Sequence, residues 1–316
     1  MSNILWDVII IGGAAAGLTA AMYTARRKVK TLVITKETGG QTATATYIEN
    51  YPGFSHIAGP RLMQKFEKGA RKAGAEIFID EVSSVKEHDK KFTVTTTSGD
   101  SYEAKSLILT FGKTPRDLGV PGEDKLKGRG VSYCATCDVP LFSNKTIAVV
   151  GGGNSALDAA IYGSKTCKKV YLVHRRDSFR GFEYMVERAK ARPNIEILYN
   201  SVVAEIKGDG KVSGAVIQNT QTNEKKEIQL DGVFVEIGHV VKTDFLKGLV
   251  NLNDNGEVIV DINNMTSRQG VFAAGDLTQL PFKQVITSAG DGCKAALAAY
   301  NYLNGVPLDK VRPDWK

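Results

Sequence analysis

Residues 132–140 read SYCATCDVP, with Cys134 and Cys137 separated by two residues and followed at once by Asp138. A thiol pair at this spacing can close a short, reducible disulfide, supply half of a zinc site, or staple a loop. Tetrahedral zinc asks for two more ligands, commonly as a second close pair. Cys167, Cys293 and the four histidines (His56, His88, His174, His239) form no such pair. Four cysteines are few for a disulfide-stapled secreted chain, and 316 residues can build cores without staples. The pair therefore reads as redox-active, and Cys167 and Cys293 as ordinary buried or half-buried cysteines.

A disulfide that turns over needs a source of electrons, and two segments have the grammar of nucleotide binding. WDVIIIGGAAAGLTAAMYTARR opens with an apolar strand from Val8 to Ile11, a glycine turn and an Ala-rich helix from about Ala15 to Arg27. Its turn, Gly12-Gly13-Ala14-Ala15-Ala16-Gly17, uses small residues so that the backbone can approach a pyrophosphate and the helix can pack close to the strand. KTIAVVGGGNSALDAAIYG repeats the pattern, with a strand over Thr146–Val150 and a turn containing Gly151, Gly153, Asn154, Ser155 and Ala156. Two such units predict two nucleotides in an α/β chain.

The second unit also predicts which nucleotide. An acidic residue at the end of the second strand takes the 2′-hydroxyl of NAD. Here the strand KKVYLV runs into HRRDSFR, placing His174, Arg175, Arg176 and Arg180 at that position. Guanidinium forks bind a 2′-phosphate, so NADPH is expected. The first unit's second strand ends instead in Lys36 and Glu37. It leads into TGGQTATATYIENYPGF, a long loop suited to wrapping a large flat ligand. Near the C-terminus, a short strand ends at Gly275 and Asp276 and an Ala-rich helix is predicted from about Ser288. Asp276 is placed to take a ribitol or ribose hydroxyl.

The formal charge of +7 and a pI of about 9.0 raise nucleic-acid binding first. No run of five basic residues and no aromatic platform supports it, and a polyanionic cofactor or an acidic protein partner explains the excess better. No signal peptide or spanning stretch is apparent, so a cytoplasmic protein is expected.

Taken together, the first glycine loop, GGQ at 39–41, ENYPGF, GRGVSYCATCD, GGGNSALDAA, HRRDSFR, GVFAAGD and ITSAGDGC resemble the low-molecular-weight thioredoxin reductases (class II pyridine nucleotide-disulfide oxidoreductases), in that family's order and over nearly the whole chain. The resemblance implies two Rossmann-like three-layer α/β domains. A discontinuous FAD domain would span 1–116 and 245–316, and an inserted NADPH domain, 117–244, would carry the cysteine pair. Hinges are expected in KTPRDLGVPGE and EIGHVVKTD, about which the NADPH domain would rotate. A homodimer is implied, and thioredoxin or a thioredoxin-like protein as substrate.

By the same resemblance, FAD would contact Gly12 to Gly17, Lys36, Glu37, Gly40, Gln41, Asn50, Val82, Gly112, Gly275, Asp276, Lys283, Gln284 and Val285. NADPH would contact the second glycine turn and the basic cluster. Cys137 would face the flavin, Cys134 would attack the substrate disulfide, and Asp138 would serve as general acid or base. The sequence departs from the family at Val139-Pro140-Leu141 after the cysteines (Phe142 is retained), at Lys283 in place of arginine, at Phe111 in place of threonine, and at Ala14 in place of glycine. A dithiol oxidase or a redox-sensing flavoprotein of the same fold is the alternative. The arginines count against the oxidase, which needs no 2′-phosphate clamp. The start of the chain at its FAD strand is expected to set aside relatives with an N-terminal redox domain.

Overall fold

The computed structural model describes residues 4–45, 48–246 and 248–307. Two compact units are formed, Met1–Thr114 with Val241–Lys316, and Pro115–Val240. The boundaries thus fall at Thr114 and Val240, against the expected 116 and 244.

The first unit is built on a seven-stranded sheet. Strands Glu76–Ile79, Thr31–Thr38, Leu5–Gly13 and Ser101–Leu109 run parallel in that order. Lys91–Thr96 and Val82–His88 continue the sheet antiparallel, while Val271–Ala273 lies parallel to the second half of Ser101–Leu109. Beyond Asp7 the central strand Leu5–Gly13 is apolar because both of its faces are covered. Val8 and Ile10 point into a layer of alanines from the helices Ala15–Arg26 and Val285–Leu303, including Ala16, Ala20, Ala295 and Ala299. Ile9 and Ile11 point the other way, toward Phe92, Val94, Val258 and Leu277. The alternation is the two-residue period of a strand. The alanines let both helices sit close to the sheet.

The second unit has a five-stranded parallel sheet in the order Ile195–Leu198, Lys169–Val173, Thr146–Gly151, Gly232–Glu236, Val131–Ser132. Ile147 and Val149 meet the helices Asn154–Gly163 and Glu183–Lys190 through Ala156, Leu157 and Met185. Ala148 and Val150 meet a three-stranded antiparallel sheet through Val203, Ile206 and Ala215. Each unit is therefore a three-layer α/β arrangement, around a wholly parallel sheet in the second unit and a mixed sheet with a parallel centre in the first. Among the described residues, no helix is long and apolar enough to cross a membrane.

Two local expectations shift. The C-terminal helix starts at Val285, not near Ser288, because Gln284 and Thr287 form a reciprocal capping box at its N-terminus. The long loop after Thr38 contains a helical turn, Gly40–Ala43, and an antiparallel bridge between Ile48 and Ile57. Its Thr46 and Tyr47 lie outside the described residues.

Candidate active site

Cys134 caps a single helical turn, Ala135–Asp138, that contains Cys137 and follows the short strand Val131–Ser132. They are joined as a disulfide with Cα atoms 5.4 Å apart. Both are half-buried, so the bond is neither sealed in the core nor bare. Ser132 organises the turn. Its hydroxyl donates to Asp138 Oδ2 at 2.6 Å and accepts the Cys134 N–H at 3.1 Å. One hydroxyl thus fixes both ends of the CxxCD segment and aims the only carboxylate within it. Ser132 drew no attention in the sequence, although its position two residues before Cys134 is the available signal. Past the turn, Val139 is buried and Phe142 packs edge-on against Phe234 at 5.3 Å, while Leu141 is 70% exposed. The departure from the family pattern therefore leaves one apolar side chain in solvent beside the disulfide.

In the same unit, the glycine turn follows the strand Thr146–Gly151 and leads into Asn154–Gly163. A side chain on Gly151 would strike the Glu236 carbonyl oxygen, and one on Gly152 would strike the His174 ring. Gly153 caps the helix, exposed Asn154 and Ser155 begin it, and Ala156 packs beneath the turn. Arg180 is tied to this turn by its backbone N–H, which donates to Gly152 O at 2.8 Å. Asn154 Oδ1 accepts the Phe182 N–H at 2.8 Å.

The four basic residues part company here. Arg175, Arg176 and Arg180 are exposed, and none has a carboxylate partner among the described residues. His174 is buried, with Nε2 2.9 Å from Ser178 O and its ring stacked on Phe179. Burial holds its pKa below the usual histidine value, against the pull of backbone groups at Ser178 and Gly151. So three cations face solvent at the strand end, and the histidine braces the turn from below. A dianionic phosphate fits such an unpaired cluster.

Glu236 also belongs to this site and was missed in the sequence. It ends the strand Gly232–Glu236 in register with Gly151, and its side chain is half-buried. Burial pushes its pKa up to about 7; the Ala135 N–H pulls it down and the Asp158 charge pushes it up again. Nothing local in EIGH signals this register, because the two strand ends lie far apart in the sequence.

The first unit holds the other glycine turn. Gly12 has φ +113°, and a side chain there would strike the Thr110 carbonyl. Gly13 donates its N–H to Thr35 Oγ1 at 2.9 Å, and Ala14, Ala15, Ala16 and Gly17 carry the chain into the helix. A side chain on Gly17 would run into Gly12 O. Lys36 and Glu37 are exposed at the end of the second strand, where Lys36 pairs with Glu81 at 3.2 Å. That pair, with Asp80 N–H on Thr35 O, brings Val82 to the same end of the sheet. Gly112 follows the strand Ser101–Leu109.

A cavity of about 730 Å³ in this unit is lined by Gln41, Asn50, Asp276, Lys283, Gln284 and Val285, among others. Asn50 Nδ2 donates to Gln284 Oε1 at 3.0 Å, and Gln41 Nε2 to Lys113 O at 2.9 Å. Gly40 lies against Ala14, and Ser288 Oγ donates to Asp276 Oδ1 at 3.3 Å. The expected residues from two distant segments, 41–50 and 276–285, are thus gathered around one space.

Lys283 is anchored on Thr278 O and lies 3.9 Å from Glu257, which pairs with Lys113 at 2.7 Å and accepts from Asn253 at 2.8 Å. Burial, then the neighbouring Lys113 charge, lowers the Lys283 pKa against the pull of Glu257. Burial would raise the Glu257 carboxyl, but the Lys113 and Asn253 hydrogen bonds and the two ammonium charges hold it below the usual range. Lys113 and Glu257 escaped notice because they are far apart in sequence.

A sequence profile described as pyridine nucleotide-disulphide oxidoreductase matches residues 6–292. The thioredoxin reductase of Streptomyces coelicolor is 42% identical over 313 residues, covering 98% of this chain and 97% of the relative. That of Streptomyces clavuligerus is 44% identical over 301 residues, covering 94% of each. Among solved structures, Lactococcus lactis thioredoxin reductase in its FR conformation superposes with a TM-score of 0.82 at 38% identity, over 95% of this chain and all of that one. Thioredoxin reductase of T. acidophilum gives 0.78 at 41% identity, over 94% of this chain and 98% of that one. With a disulfide, two glycine-turn units and a match of this extent, the chain belongs to the pyridine nucleotide-disulphide oxidoreductase family.

Proposed function

We propose that this chain is an NADPH-dependent, FAD-containing reductase of thioredoxin or a thioredoxin-like protein. The observation that carries the reading is the Cys134–Cys137 disulfide, with Asp138 fixed by Ser132, in the same unit as a glycine turn edged by three exposed arginines. Arg175, Arg176 and Arg180 would take the 2′-phosphate, and the turn from Gly151 to Ala156 the pyrophosphate.

In the first unit, the Gly12–Gly17 turn would take the second pyrophosphate, and the cavity residues Gln41, Asn50, Asp276, Lys283 and Gln284 the flavin end. A flavin bound there supplies the exchange between hydride and thiol chemistry. The protein's part is then thiol chemistry. Opening the disulfide gives two sulfurs and requires protons. Asp138, next to Cys137 and held by Ser132, would carry a proton to or from the Cys137 sulfur, and Cys134 would attack the substrate disulfide. Exposed Leu141 would lie at the substrate's approach. A homodimer acting in the cytoplasm belongs to the same reading.

Cys137→Ser tests it. The variant should keep bound flavin and NADPH affinity and lose thioredoxin reduction. Retained thioredoxin reduction would remove the pair from the reaction.

A further inference from the structure

Glu257 is a buried residue of the first unit on which three segments converge. Its Oε1 accepts from Lys113 Nζ at 2.7 Å and lies 3.9 Å from Lys283 Nζ. Its Oε2 accepts from Asn253 Nδ2 at 2.8 Å, and its own N–H donates to Asn253 Oδ1 at 2.9 Å. The next residue, Val258, is bonded to the segment that leads to Lys283. Its N–H donates to Leu277 O at 2.9 Å, and its carbonyl accepts the Gln279 N–H at 3.1 Å. The carboxylate is thus fixed through main chain and side chain, and two ammonium groups bracket one of its oxygens. Glu257 stands behind the wall of the flavin-sized cavity. Lys283 lines that cavity, and Lys113 O holds the lining residue Gln41 at 2.9 Å. The other charges on the surrounding elements are Glu49 and Asp276, which line the same cavity, and Asp291 on the helix Val285–Leu303, which pairs with Lys294 at 3.0 Å.

We propose that Glu257 is a positioning residue of the flavin cavity, gathering the Lys113 and Lys283 ammonium groups onto one oxygen so that Lys283 stays a fixed cation toward the bound ring system. The inference rests on the proposed reading that this cavity takes the flavin. Lys283 stands where the resemblance expects an arginine. A guanidinium keeps its charge in almost any setting. A half-buried ammonium gives up its proton more readily, and a second ammonium close by makes this easier still. Burial and the Lys113 charge push Lys283 in that direction, and Glu257 opposes them. When Lys283 does lose its proton, the proton goes to solvent, a neutral amine remains, and the cavity wall loses one positive charge. The carboxylate is therefore what lets a lysine serve at an arginine's position.

The test is a pH titration of the visible absorption of the flavin-loaded protein, from about pH 6 to about pH 10, without NADPH or thioredoxin. A unit charge gained or lost beside the ring shifts its absorption bands, so the spectrum reports the charge on Lys283. Lys283→Arg keeps the cation and should show only the ring's own alkaline titration. Wild type should show one transition more. Glu257→Gln should move that transition down by about one pH unit or more, because two ammonium groups are left without the carboxylate between them. Lys113→Met should move it up, because Glu257 then serves Lys283 alone and Gln41 is still held by the main chain. Glu257→Asp should fall between Glu257→Gln and wild type. A carboxylate with a merely structural role would not give shifts of opposite sign. Coincident transitions in wild type, Glu257→Gln and Lys113→Met would overturn the proposal, as would a wild-type profile identical to that of Lys283→Arg.

Should Glu257→Gln fail to fold, Lys113→Met decides alone, and a transition that stays in place or moves down sinks the proposal. Neither NADPH nor thioredoxin enters the titration, so the two ideas fail separately. A flavin-loaded protein with coincident profiles and full thioredoxin turnover sinks only the role of Glu257. The expected shifts without thioredoxin turnover sink only the proposed substrate. A protein that takes up no FAD sinks the proposed function and this inference with it.

Discussion

The two glycine turns share a backbone plan and differ in what surrounds it. In the first unit, Gly17 has no room for a side chain because it faces the Gly12 carbonyl. In the second, the equivalent place is held by Ala156, whose methyl packs under Gly151. The first turn is backed by Thr110, which hydrogen-bonds both Ile11 O and Gly12 O; the second is backed by the Glu236 backbone. The strand ends diverge further. Lys36 is spent on Glu81, whereas Arg175 and Arg176 have no carboxylate partner among the described residues. The backbone cradle makes a pyrophosphate site in either unit, and the residue types at the end of the second strand decide whether a 2′-phosphate is wanted.

The sharpest way to break this comparison is Gly17→Ala. The added methyl would collide with a main-chain oxygen that cannot swing aside, at a cost of about 3 kcal/mol or more. Loss of flavin absorbance and a lower Tm should follow. Gly153→Ala, whose methyl would meet open space, should change neither. Equal effects would mean that the two turns are not built as described.

The next effect in size is on nucleotide choice. Arg175→Ala with Arg176→Ala should weaken NADPH by about 2–5 kcal/mol, read as a higher KM, and leave NADH nearly unchanged. Equal weakening of both cofactors would take the 2′-phosphate away from these residues.

A smaller effect is expected at Glu257, whose pKa is depressed by Lys113, Asn253 and Lys283 once burial has been overcome. A depressed carboxyl contributes stability above its unfolded pKa and loses it as pH falls through the folded value. Glu257→Gln should therefore cost about 1–2 kcal/mol at pH 7, and the cost should shrink as the pH falls below the ordinary glutamate range, by denaturant unfolding. Glu236 has the opposite sign. Its raised pKa favours the fold below the unfolded value of 4.5 and that contribution is lost as pH rises through about 7. Glu236→Gln should then stabilise the oxidised protein at pH 8 by about 1 kcal/mol, discounted for partial exposure, and should not do so at pH 4.

Much of this was legible because its signals are local. Val8 to Ile11 read as a buried strand from four apolar residues, and the turn-and-helix grammar repeats at 146–163. Strand ends marked Arg175 and Arg176 by position alone. The same rule named His174 beside them; its ring is buried, and adjacency at a strand end does not say which side chain faces solvent. The start of the last helix was misjudged because a capping box of Gln284 and Thr287 extends it by a turn past its Ala-rich part. What escaped altogether is long-range. Lys113 meets Glu257, and Glu236 comes into register with Gly151, only after the sheets bring distant strand ends together.

The most direct measurement is the visible spectrum of the purified protein during anaerobic titration with NADPH, followed by thioredoxin with insulin as terminal acceptor. A yellow protein that bleaches with NADPH, bleaches far less readily with NADH, and reduces insulin only when thioredoxin is present is the predicted result. A flavin that NADPH leaves oxidised would contradict the assignment of the arginine-edged turn, and with it the electron path to Cys134 and Cys137.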